Sequence, residues 1–152
     1  MERANGTVQA QLRAYYLTVQ GRMTVRVISG TQLFPQMLRH SVWTVVRCRA
    51  DQKTKQTPYE RTRGSRYESA LVPFGEVVMA KVADGDKLRA GKLDSAWVKA
   101  VWVGWVDKSN EHLLWTAKGC IRSRTVRRIP DGHQASYHAE VKELPWDTFK
   151  GI

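Results

Sequence analysis

Four arginines fall within the ten residues CIRSRTVRRI at positions 120–129. Read as one extended strand, the segment sends Arg122, Arg124 and Arg128 to one face and Ile121, Ser123, Thr125 and Ile129 to the other. Cations repeating along a strand match the phosphates repeating along a nucleic-acid backbone. Each contact releases counterions, so the binding expected is salt-sensitive and blind to base sequence. The competing reading is a solvated edge strand whose charge blocks aggregation. The balance of the whole chain favours the first. Over 152 residues, 25 Lys and Arg against 14 Asp and Glu leave a net charge of +11, a surface suited to polyanions. The charge is concentrated in the body: residues 1–49 hold seven basic side chains and one acid, whereas residues 131–152 hold two basic and four acidic ones.

Other reactive side chains form no complete site. His40, His112, His133 and His138 are scattered, and only His133 and His138 with Cys120 could be imagined around a metal, at a spacing that fits no common zinc pattern. Cys48 and Cys120 lie far apart with no Cys-x-x-Cys partner, which suits a reducing compartment. Trp97, Trp102, Trp105 and Trp115 offer ring faces on which bases of a single strand stack, but they stand in Val-rich segments and are assigned to packing. Gly104, inside such a segment, marks a bulge or a close approach of backbone. No apolar run nears the roughly 20 residues of a membrane span, and no secretory leader opens the chain; a soluble, intracellular protein, nuclear or cytoplasmic, without a membrane partner is expected.

The elements that must position these residues divide near residue 72. Residues 2–20 place Val8, Leu12, Tyr16 and Val19 on one stripe and predict an amphipathic helix, weakened at Asn5-Gly6. A connector or short strand follows over 21–31. Residues 35–49 combine Pro35, a good first helical residue, and helical spacing of Leu38, Val42 and Val45 with a β-rich run at 42–46; the spacing predicts a helix. Residues 50–72 read as polar and turn-like, punctuated by Pro58 and Gly64. From residue 74 the period becomes two: strands are predicted over 74–82, 97–106, 112–117 and 120–129, with a Gly- and Asp-rich loop over 83–96, a turn over 107–111 and a tight turn at Lys118-Gly119. Short strands with brief turns suggest a small antiparallel barrel or sandwich. The tail has no sustained period, and Trp146 and Phe149 are its candidates for packing back.

In order along the chain, ERANGTVQAQLR (2–13), LRHSVWTVVRCR (38–49), TPYERTRG (57–64), LVPFGEVV (71–78), KLDSAWVKAVWVGWV (92–106) and IRSRTVRRIP (121–130) resemble retrotransposon integrases of the copia type in polyprotein form. The closing LPWDTFKG (144–151) is similar to the end of the integrase-like segment in some protist polyproteins. The resemblance implies an α+β chain: residues 1–50 as the C-terminal helices, a helical remnant, of a ribonuclease-H-like catalytic core; 51–72 as a connector; 73–130 as a small antiparallel Src-homology-3-like β-barrel that binds DNA; and 131–152 as an irregular tail.

The same resemblance implies DNA integration by strand transfer, in which an Asp-Asp-Glu triad holds two Mg2+ or Mn2+ ions. Glu2, followed by Arg3, matches the third carboxylate and is its relic; otherwise Glu2 is simply a helix acid favoured by the dipole. The two Asp residues of the family lie upstream of that Glu, and Asp51 in the polar connector cannot replace them. The chain alone is therefore expected to be catalytically incomplete, with no cofactor of its own. What it retains is DNA binding, with Lys99, Arg122, Arg124, Arg127 and Arg128 on the β side and Arg3 and Arg13 on the helix side as backbone contacts. Two further expectations stand beside it: a non-enzymatic module, decayed or domesticated, that binds a protein partner through the barrel, and self-association through Val8, Leu12, Val42 and Val45 on helix faces left uncovered.

Overall fold

The computed structural model describes residues 2–23, 33–82, 95–131 and 133–134. Within them the chain is α+β: α1 (Glu2–Met23), α2 (Leu33–Cys48), α3 (Pro58–Arg63), then β1 (Val77–Lys81), β2 (Trp97–Val106), β3 (Glu111–Thr116), β4 (Gly119–Ser123) and β5 (Val126–Arg128). The connector over 24–32, the loop over 83–94, His138, Trp146 and Phe149 lie outside the described residues.

The strands form one antiparallel sheet in the order β4-β3-β2-β1-β5, which is not closed into a barrel. Two residues separate β4 from β5, yet these strands occupy opposite edges. The segment read as one strand over 120–129 is thus two, and the break at Arg124-Thr125 carries the chain across the end of the sheet. Ser123, 4% exposed, holds the crossing: its Oγ lies 2.8 Å from the carbonyl oxygens of both Lys81 and Thr125 and accepts the Thr125 N–H at 3.2 Å. Backbone pairing of Lys81 N–H with the Thr125 carbonyl at 3.0 Å completes it. Alternation changes phase at this corner: Ile121 and Val126 reach the same face, and Arg127 rather than Arg128 shares the face of Arg122, so a single period of two carried through 120–129 misplaces the side chains of β5.

Both faces of the sheet are apolar. One buries Val78, Ala80, Ala100, Trp102 and Leu114. The other, carrying Val77, Val101, Val103, Leu113 and Trp115, is covered by Val19 of α1 and Leu33 and Met37 of α2. The two halves that the sequence separates near residue 72 therefore share one core.

Residues 35–49 are helical despite their β-type composition, because the helix can bury a stripe. That stripe is Leu33, Gln36, Met37, His40 and Ser41, at spacings of three, one, three and one. The face expected from apolar spacing lies elsewhere: Leu38 is 40% and Val42 44% exposed. Three polar residues are on the buried face because each finds a partner or a fitted surface. Gln36 Nε2 donates to the Val103 carbonyl at 3.0 Å, and Ser41 Oγ to the Met37 carbonyl at 2.8 Å. His40 packs among aromatic rings.

The receiving surface is a β-bulge. The β2–β3 register shifts between Trp102 and Gly104, and Gly104 has φ of +132°. A Cβ at Gly104 would lie 2.7 Å from Gln36 Nε2. The sequence left a bulge and a close approach as alternatives; both occur, and the second depends on the first.

The connector is not merely a turn. Thr57 caps α3 in a complete capping box, accepting the Glu60 N–H at 3.1 Å while Glu60 Oε2 accepts the Thr57 N–H at 2.7 Å. Gly64, at φ of +76°, closes the helix in the left-handed conformation.

Gly104→Ala adds both backbone strain and a clash with Gln36. It is expected to lower the unfolding free energy by about 1–3 kcal/mol in urea titrations, and an unchanged midpoint would contradict the bulge as the seat of α2.

Candidate functional site

The break between β4 and β5 disperses the arginine stripe. Arg122 lies on one edge strand, Arg127 and Arg128 on the other, and Arg124 at the crossing. Two of the four are held in ion pairs. Arg128 grips Glu76 with two hydrogen bonds of 2.6 and 2.8 Å, and Glu76 is only 3% exposed, so this arginine neutralises a buried carboxylate and is structural. Arg124 pairs with Glu111 at 3.3 Å, although its own side chain is 90% exposed.

Cross-strand register assembles a different group. Lys99 of β2 and Arg127 of β5 both stand opposite Met79 of β1, so the three form one row on one face. One step along, Lys81 stands opposite Trp97. The Arg127 guanidinium lies over the Trp97 ring, 4.5 Å from its centroid, which fixes its orientation and leaves its outer face to solvent. Lys81, Lys99 and Arg127 are all exposed. Sequence reading found Lys99 and Arg127 but not Lys81, whose place follows from period two through Val77 and Met79 on β1. Trp97 is half-buried and acts here as a platform for a cation, while Trp102 and Trp115 are core.

On the helical side Arg3 and Arg13 are exposed on α1, about 15 Å apart along its axis. Glu2 is exposed in the first turn. Among the described residues no group of three His, Cys, Asp or Glu side chains could hold a metal ion. Cys120 is half-buried, and burial pushes its thiol up to about 11, far from a nucleophile at neutral pH.

The most perturbed histidine is a packing residue. His40 packs in a triangle with Tyr15 and Phe74, at ring-centroid distances of 5.2 and 5.5 Å, and meets the Trp102 ring edge-on at 4.9 Å. Tyr15 and Thr44 share a hydrogen bond of 2.7 Å at the rim of this cluster, joining α1 to α2. Burial pulls the His40 pKa down to about 4, so the ring is neutral at pH 7. His112 is also pulled down by burial; its Nδ1 accepts the Trp102 indole N–H at 3.0 Å.

No helix among the described residues is long and apolar enough to cross a membrane. Comparison of the chain with protein-family models, with curated proteins and with solved structures finds no match.

Since the His40 pKa is near 4 in the folded chain and near 6.5 when unfolded, only the unfolded chain gains this proton between those values. Stability is then full above pH 6.5 and falls toward pH 4 by up to about 3 kcal/mol, with His112 acting in the same direction. Urea titrations across this range in wild type and His40→Phe check it: the variant should show a flatter slope, and equal slopes would contradict a neutral buried ring.

Proposed function

We propose that the chain is a non-catalytic module that binds nucleic acid through the phosphate backbone, with DNA as the reference ligand. The observation that carries this reading is the row of Lys81, Lys99 and Arg127 on one exposed stretch of sheet, with Arg127 braced on Trp97. Lys99 and Arg127 stand on either side of β1, about 10 Å apart, and Lys81 lies about 7 Å further along β1, so the three can meet neighbouring phosphates, and backbone contacts of this kind carry no base information. The net charge of +11 adds a general attraction and a fast encounter.

The reading keeps part of the arginine set and reassigns the rest. Arg127 and Lys99 are contact residues, Arg124 is available only by exchange with Glu111, and Arg128 supports the sheet. Arg3 and Arg13 are peripheral contacts that lengthen the footprint. A protein partner on the sheet has less support: the large apolar side chains exposed among the described residues are Leu17, Leu38, Val42 and Leu71, on the helices and connector.

As to origin, we propose a fragment of a retrotransposon integrase of the copia type, a reading that rests on the ordered motifs. The return of β5 to β1 across the sheet end supports a Src-homology-3-like ancestry for the β half. The helical half covers its own chain's sheet, so a ribonuclease-H-like ancestry there rests on sequence resemblance alone.

Fluorescence anisotropy with a mixed-sequence duplex across a salt series tests the binding. The three sheet contacts alone predict a log–log slope of about −3, made steeper by Arg3 and Arg13, and Lys81→Gln/Arg127→Gln should weaken binding about tenfold or more and flatten the slope by about two. Salt-independent affinity, or a double variant that binds as wild type does, would overturn the reading.

A further inference from the structure

The opposite end of β2 carries a second basic feature. Trp97 and Trp105 are eight positions apart on this strand, or roughly 26 Å, so the two features are distinct. Near Trp105 a cleft of about 350 Å³ opens between α2 and the β2–β3 turn, lined by Arg39, Trp105, Asp107, Lys108, Ser109 and Arg122 among others. Its three cations come from α2, the turn and β4, against one carboxylate.

We propose that this cleft seats a phosphate of a single-stranded nucleic-acid segment; the inference rests on the nucleic-acid reading above and assigns it a second, strand-selective site. Three observations carry it. First, the cations are available. None of Arg39, Lys108 and Arg122 is in an ion pair with a described residue; the nearby Glu111 is bound by the Ser109 hydroxyl at 2.8 Å and Arg124 at 3.3 Å, and feels the charge of Arg122 only at longer range. Second, Trp105 supplies an indole N–H that is buried and has no hydrogen-bond partner among the described residues. A donor buried without an acceptor is a cost to the fold, and it stands on the residue that walls the cleft.

Third, the shape selects the ligand. The faces of the Trp105 ring are engaged by Trp43, at a centroid distance of 5.9 Å, and by His112 at 4.3 Å, so the ring forms a rigid wall and offers no platform for stacking. The site therefore recognises phosphate and charge more than base. A recess of nucleotide size is open to a flexible strand that can fold a phosphate inward, whereas the phosphates of a duplex lie on a stiff convex surface. The exposed row of Lys81, Lys99 and Arg127 has no such restriction.

The test compares one mixed-sequence oligonucleotide, single-stranded and as its duplex, against wild type, Arg39→Gln/Arg122→Gln, Lys108→Gln and Lys81→Gln/Arg127→Gln. The substituted side chains are exposed, so the fold is expected to persist. Anisotropy gives the affinities, and the Trp105 indole N–H resonance, assigned with Trp105→Phe, reports on the cleft. The cleft variants should lose about tenfold or more on the single strand and no more than about twofold on the duplex, and the single strand should shift the Trp105 resonance in wild type only. Single-strand binding that survives the cleft variants but falls in Lys81→Gln/Arg127→Gln would overturn the cleft and leave the general reading standing. Equal losses on both ligands would overturn the strand preference. Binding of neither ligand by wild type would overturn both proposals.

Discussion

A bulge in the longest strand opens a carbonyl that the sheet does not use, and the helix above it supplies the donor. Gln36 Nε2 reaches the Val103 oxygen at 3.0 Å, in space left by the missing Cβ of Gly104. Because Gln36 is buried, this amide has no water to turn to; if α2 shifted along its axis, both the amide and the carbonyl would be left unpaired at about 1–3 kcal/mol each. The contact thus sets the register of α2. One turn later it places His40 against Phe74 and Trp102, and Thr44 beneath the Tyr15 hydroxyl. α1 is positioned through α2, which is how two helices and a sheet come to share one core.

Fixing the helices in this way sorts the chain's excess of positive charge. Some cations are consumed by the fold: Arg128 by buried Glu76, Arg66 by Glu60 at 2.8 Å beside the capping box, and Arg47 above the Trp43 ring at 4.6 Å. Other cations line the rim of the covered face, Arg39 from α2 itself. Lys81, Lys99 and Arg127 border it at the start of β2, and Arg39, Lys108 and Arg122 at its end. The core and the charged rim are therefore two results of one arrangement, since the helix that buries the middle of the sheet also separates its basic margins.

Much of this was legible in the sequence. Period two located β2 and β3 within a residue or so, and the glycine inside β2 announced the bulge. The long helix α1 and the helical choice for 35–49 followed from spacing. What escaped was what spacing alone does not encode. The buried stripe of α2 contains Gln36, His40 and Ser41; the partners of Gln36 and of the His40 ring lie in the distant sheet and on α1, and Ser41 is satisfied within its own helix, so none of the three shows as apolar spacing, whereas Leu38 and Val42, which do, are exposed. The corner at Arg124-Thr125 shifts the phase of the alternation within two residues, too short a break for period two to reveal, so two edge strands read as one stripe. Thr57-Pro-Tyr-Glu60 is a capping box whose helix, six residues long, is too short to show a hydrophobic period. The basic row needed register, and register is a property of three strands at once.

The central claim is that α2 and the sheet are one cooperative unit joined at the bulge. Native-state hydrogen exchange measures it directly, by comparing opening free energies of amides in α2, such as Met37 and Ser41, with those of Val101 and Leu114 in β2 and β3. The account predicts that both sets open together, at the free energy of global unfolding. Helix amides that exchange through a separate opening of much lower free energy, with the sheet still protected, would contradict it.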